Sequence, residues 1–89
     1  MADPVFFDIP VGTWVKVATG VTVGAIWPLI SDTYYLHTLR DTGNPAPVNG
    51  VISEGKELPY CGAHIADVTL RDIYIAVKGS NPGRVRVDL

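Results

Sequence analysis

Residues 71–89 read RDIYIAVK-GSNPG-RVRVDL, two alternating runs on either side of a cluster of turn residues. Successive side chains of a strand point to opposite faces. Ile73, Ile75 and Val77 therefore share one face of the first run, and Val85, Val87 and Leu89 match them after the break. Asp72, Tyr74 and Lys78 fall on the other face, with Arg84, Arg86 and Asp88. Val, Ile and Tyr in alternation, interrupted by Gly-Ser-Asn-Pro-Gly, predict a C-terminal β-hairpin. Its apolar side belongs to a core, and its polar side is free for contact. A two-stranded ribbon is marginal in water, so the rest of the chain has to cover that apolar side.

Upstream of it, the same reasoning finds mostly strands. Pro4 and Pro10 enclose Val5, Phe6 and Phe7 and disfavour a helix, so residues 1–10 read as an extended arm or edge strand. Alternation sends Phe6 and Phe7 to opposite faces, one for the parent core and one for another surface. GTWVKVAT (residues 12–19) predicts a strand, and residues 21–30 predict a second one with a bulge or bend at Gly24, either broken or held to an edge because Pro28 forbids a central ladder position. Ser31, Asp32 and Thr33 mark a turn. YYLHTLR (residues 34–40) is apolar on both faces, which places it between two packed layers or against another subunit; a helix is the alternative there. DTGNPAPVNG (residues 41–50) is a loop by composition, VISEGKELPY (residues 51–60) predicts two short strands around Glu54-Gly55-Lys56, and residues 61–70 stay ambiguous between one helical turn and a strand. About six to eight short strands with turn signals at regular intervals define a small all-β domain, an antiparallel sandwich or barrel.

With 89 residues the chain is one domain. It is 47% hydrophobic and only 18% charged, which is the composition of a folded body with more apolar surface than so small a domain hides by itself. Burial against other chains is the expected outlet. A net charge of −2 lacks the basic excess of nucleic-acid binders. Cys61 is the only cysteine, so no intrachain disulfide forms, and it reads as a small buried hydrophobe. MADPVFFDIP has neither the basic region nor the apolar core of a signal peptide, and no run is long enough for a membrane helix; the expectation is a cytosolic protein without membrane contact.

No catalytic constellation emerges. Nucleophile-elbow, Walker and dinucleotide glycine patterns are missing. His37 and His64, with Asp41 and Asp67 near them in sequence, have no metal-binding motif, and His37 reads as a structural hydrogen-bonding residue among aromatics. Glu54 and Glu57 flank a turn and read as solvated. The aromatic set Trp27, Tyr34, Tyr35, Tyr60 and Tyr74 offers flat apolar faces with polar tips, the material of core and interface, or of a sugar-stacking platform.

PVGTWVKVATGVTVGAI, YYLHTLRDTGNPAP with the following SEG, and DIYIAVKGSNPGRVRVDL cover about half of the chain. These stretches resemble small β-rich virion accessory proteins of tailed bacteriophages. The resemblance implies a structural role, capsid decoration or the base of a head fibre, on a particle assembled in the host cytoplasm, often as a trimer. Combined with the residue reading, the expectation is a non-enzymatic single domain over residues 1–89, without cofactor or metal, that binds itself and a capsid or other virion protein. Phe6, Phe7, Trp27, Tyr34, Tyr74, Arg84 and Arg86 are its expected contact residues. A carbohydrate-binding module is the alternative.

Overall fold

The computed structural model describes residues 4–30, 33–47, 55–58 and 62–89. Among these the chain is all-β. Six strands run in the order β1 (Val5–Ile9), β2 (Val15–Pro28), β3 (Tyr34–Asp41), β4 (Lys56–Leu58), β5 (Ala63–Lys78) and β6 (Gly83–Asp88). They form one antiparallel sheet in the spatial order β1-β6-β2-β5-β3-β4, curled into a half-barrel. The expected Cys61, Glu54 and Tyr60, the strand start at Val51 and the turn at Ser31-Asp32 lie outside the described residues.

The two C-terminal strands and the break between them stand where the sequence places them, but they are not a hairpin. β2 lies between them: β5 pairs with β2 and β3, whereas β6 pairs with β1 and β2. The connection through Gly79–Pro82 is an arch that carries the chain across the curl. The apolar sides still meet, because Ile73, Ile75, Val77, Val85 and Val87 share one core with Ile9, Val17, Ala18, Ile26, Tyr35 and Leu58. Side-chain parity fixes which face a residue occupies and leaves its neighbouring strand open.

Two predicted strands are one in β2, which runs unbroken for 14 residues through Gly20 and Gly24. It occupies the middle of the sheet and not an edge; Pro28 is tolerated because it is the last residue of the strand. Bulges bend it. From Lys16 to Ala18 β2 advances two residues while β5 advances one, so Val17 and Ala18 are both buried and the alternation breaks. A second shift falls at Gly20, whose φ of 62° suits glycine, and between Val21 and Val23 the partner strand runs from Arg71 to Ala66. The ambiguous residues 63–70 continue into β5, a strand of 16 residues.

The middle of β5 is covered on both sides. Residues 72–77 are all buried, and on the side away from the main core Tyr74 and Ala76 pack with Trp14 and Leu36. Tyr74 is 3% exposed and Asp72 2%, so neither stands on an open polar face as alternation alone predicts. Asp72 is satisfied locally: its Oδ1 accepts the Gly20 N–H at 2.9 Å and the Thr42 hydroxyl at 3.3 Å, and Lys16 Nζ lies 3.6 Å from Oδ2. The Gly20 hydrogen bond, helped by Lys16 and by Thr42, holds this carboxyl below the usual carboxylate range against the opposing effect of burial.

Candidate interaction face

β1, β6 and the end of β2 are three neighbouring strands, and their register sets side chains in rows. Phe6 stands opposite Arg86, and Arg86 opposite Trp27, so one row crosses all three strands on the outward side. The next row pairs Asp8 with Arg84. Val5, Phe7 and Ile9 face Val87, Val85 and Gly83 on the inward side, where Phe7 packs against the core. The adjacent phenylalanines thus part as alternation requires: Phe7 goes inward, and Phe6 is 49% exposed.

The outward face is organised by charge. Asp88 accepts three hydrogen bonds from the Arg86 guanidinium, from Nε to Oδ1 at 3.2 Å and to Oδ2 at 3.3 Å, and from Nη2 to Oδ2 at 2.8 Å. The Trp27 indole N–H donates to Asp88 Oδ2 at 3.0 Å, which fixes the ring beside the pair. The Arg86 hydrogen bond pulls the Asp88 carboxyl below its ordinary range, with the Trp27 hydrogen bond acting the same way, and Asp88 in turn raises Arg86. Beyond Trp27, His64 meets the indole edge to face, with ring centroids 5.9 Å apart. On the other side Arg84 lies over the Phe6 ring at 5.4 Å and 3.8 Å from Asp8. Asp72 and Lys78, the partners that a hairpin would have offered these arginines, belong to a strand that β6 does not touch in the ladder.

Trp27 owes its position to Gly62. A Cβ there would lie 2.5 Å from Trp27 Cε3 and 2.8 Å from the Ile26 carbonyl oxygen, so only a glycine lets the indole approach the start of β5. Beside the face, Asp8, Ile9, Pro10, Ile30, Pro82, Gly83 and Arg84 line an open, mainly apolar recess of about 450 Å³.

Four expected contact residues, Phe6, Trp27, Arg84 and Arg86, therefore come together on one surface. Tyr34 is 56% exposed but belongs elsewhere, on β3 opposite Lys78, at the far end of β5 from Gly62. Tyr74 is interior, and Phe7 faces the core. Asp8 and His64 are members of the face that the sequence reading did not place there, whereas alternation had already set Asp88 on the same side of the last strand as Arg84 and Arg86. The two histidines do not converge, since His64 pairs with Ala25 and His37 with Ile75 near the other end of β5. His37 hydrogen-bonds the Lys56 backbone, its Nδ1 has no partner among the described residues, and burial, with the charge of Lys56, lowers its pKa. Among the described residues no three His, Cys, Asp or Glu side chains gather in a metal-binding group, and no helix is long and apolar enough to cross a membrane. No protein-family model, curated protein or solved structure matches the chain.

Proposed function

We propose that this chain is a non-catalytic binding domain that works in several copies on a larger particle, with the outward face of β1, β6 and the end of β2 as its contact surface. The observation that carries the reading is the single row Phe6–Arg86–Trp27 with Arg84 beside it. Aromatic residues and arginines are the side chains that dominate protein interfaces, and the adjoining apolar recess is the kind of site that receives an anchoring side chain. Arg86 and Trp27 are held in place by Asp88 before any partner arrives, which lowers the entropy lost on binding. The sequence resemblance names the particle to test first, a tailed-phage capsid or another virion component, on which many copies reinforce one another. Co-sedimentation with such particles checks it: Trp27→Ala and Arg86→Ala are each expected to weaken binding at least tenfold without loss of folding. Binding unchanged by both substitutions overturns the assignment of this face.

The glycan reading has one observation of its own. The Trp27 ring is backed by Gly62 and flanked by Asp88, Arg86 and His64, which is an aromatic surface with hydrogen-bonding groups at its rim. A glycan array probed with the wild-type chain and with Trp27→Ala separates the readings, because a protein-binding face gives no Trp27-dependent sugar signal.

A further inference from the structure

We propose that β1 is the seam between two copies of this chain, pairing antiparallel with the β1 of a second copy about a two-fold axis through Phe7. The inference rests on the multi-copy reading above and goes beyond it by naming the symmetry, the register and the residues.

Among the described residues β1 has β6 on one side and no strand on the other. Edge strands are ordinarily blunted by charged side chains, a proline or a bulge within the strand. β1 has neither a proline nor a bulge: its register with β6 is unbroken over Val5–Ile9, and Pro4 and Pro10 stand just outside it; its one charge, Asp8, lies 3.8 Å from Arg84. It also leaves Val5 50% and Phe6 49% exposed.

The strand is complementary to itself in one register. When two sheets join edge to edge, inward residues must face inward residues, so the numbers of opposed residues add to an even sum. Only a sum of 14 pairs all of Val5–Ile9 with the second strand. In that register Phe7 meets the partner's Phe7 on the axis, and Val5 meets the partner's Ile9. Pro4 then stands opposite the partner's Pro10 at both ends, where the missing N–H groups close the ladder symmetrically. On the outward side Phe6 stands opposite the partner's Asp8. Arg84 already lies over Phe6 beside its own Asp8, so the partner's Asp8 brings a second carboxylate to the same guanidinium. The axis repeats this arrangement, and two arginines and two aspartates alternate across the seam. Joined in this way, the two sheets present two Phe6–Arg86–Trp27 rows on one continuous surface. An isologous contact of this kind closes at two copies, in contrast to the trimer that the sequence resemblance implies.

The test is the solution mass of the full-length chain by sedimentation equilibrium. Twice the 9.6 kDa of one chain is expected, and a monomer or a trimer overturns the proposal. Phe6→Asp sets like charges against the partner's Asp8 at two symmetric places, and the dimer is expected to weaken at least tenfold. Phe6→Lys sets opposite charges there, and the chain is expected to stay dimeric. Equal behaviour of the two variants overturns the register. As a second readout, Phe6→Cys and Asp8→Cys chains, each also carrying Cys61→Ser, are mixed under mild oxidation. Opposed Cα atoms in an antiparallel pair are about 4.5–5.5 Å apart, within disulfide range, so the mixed disulfide is expected to exceed either homodimer; an excess of a homodimer overturns the axis at Phe7. Both positions are exposed, and a thermal melt of each variant is the check that it folds. A monomeric result leaves the Trp27→Ala and Arg86→Ala binding tests intact, so failure of the seam and failure of the face are distinguishable.

Discussion

Tyr35→Phe tests what closes the curl. Tyr35 starts on β3, crosses the interior and ends against β6, where its hydroxyl accepts the Arg84 N–H at 3.1 Å and lies 3.2 Å from the Arg84 carbonyl oxygen, to which it donates. Removing the hydroxyl leaves that carbonyl with the Leu29 N–H at 2.9 Å, but strands the Arg84 N–H. A fully buried donor without a partner costs about 1–3 kcal/mol, which is the upper bound for this part-buried one. For a domain of this size that bound corresponds to a fall in the melting midpoint of roughly 5–20 °C. The ring itself requires Gly83, because a Cβ there would lie 2.4 Å from Tyr35 Cε2 and 2.7 Å from the hydroxyl oxygen. The φ of Gly83 is not positive, so an alanine meets no backbone penalty and the whole cost is the ring. Gly83→Ala is expected to destabilise by about 1–3 kcal/mol through overpacking. In a Tyr35→Leu background the shorter side chain clears the space, and the same Gly83→Ala becomes neutral or stabilises by about 0.5 kcal/mol, the ordinary gain of alanine over glycine in a strand. Urea denaturation of the four chains, followed by circular dichroism, gives the coupling directly. An equal Gly83→Ala penalty in both backgrounds refutes the idea that Tyr35 and Gly83 are two halves of one contact.

Two further outcomes follow from the interior of the sheet. Asp72 has a carboxyl held below its ordinary range in the folded chain, so its contribution is present above the unfolded carboxylate value and is lost as pH falls through the folded one. Urea midpoints measured from pH 7 down to about pH 2 should drop in the acid limb, and Asp72→Asn should be less stable at neutral pH with a shallower acid limb; an acid limb of unchanged slope contradicts this account. Tyr74→Ala removes a ring packed among Trp14, Leu36 and Ala76 and is expected to cost about 3–5 kcal/mol, where an exposed tyrosine would cost under about 0.5 kcal/mol; a thermal melt decides between them.

Which residues face inward along β6 was legible from alternation alone, as was the all-β character, because RVRVD keeps a strict period of two. What sat next to β6 was not legible. Val85 and Val87 reach Ile73, Ile75 and Val77 equally well from an adjacent strand or from across a curl, and the turn-forming residues Gly79–Pro82 serve an arch as readily as a hairpin. The convergence of Phe6 with Arg84 and Arg86 was equally hidden, since it depends on the N-terminal strand pairing with the C-terminal one. The bulges of β2 obscured a second feature: with Val17 and Ala18 both turned inward, the alternation around them gives the wrong face for one or the other. Tyr74 misled for a different reason, because the cover over it comes from Trp14, a residue distant in sequence.

The insertion of β2 between β5 and β6 also accounts for the division of the outer surface. At β5 and β3 a second layer exists: Trp14 and Leu36 cover Tyr74 and Ala76, and Gly55 lies so close that a Cβ there would meet Trp14 at 2.7 Å and Leu36 at 2.9 Å. At β6 and β1 the outward side chains are charged or aromatic, and they pair among themselves along the sheet. The arch at Gly79–Pro82 is where the chain passes from the doubly covered half to the singly covered one, held there by the Thr33 hydroxyl on the Pro82 carbonyl at 3.2 Å and by Tyr35 on Arg84. In a hairpin Tyr74 and Ala76 would share an outer face with Arg84 and Arg86, and one cover would have to suit both. Separating the strands lets IYIAV be apolar on both sides while RVRVD keeps one side wet, so the contrast between the two runs is the sequence counterpart of the arch.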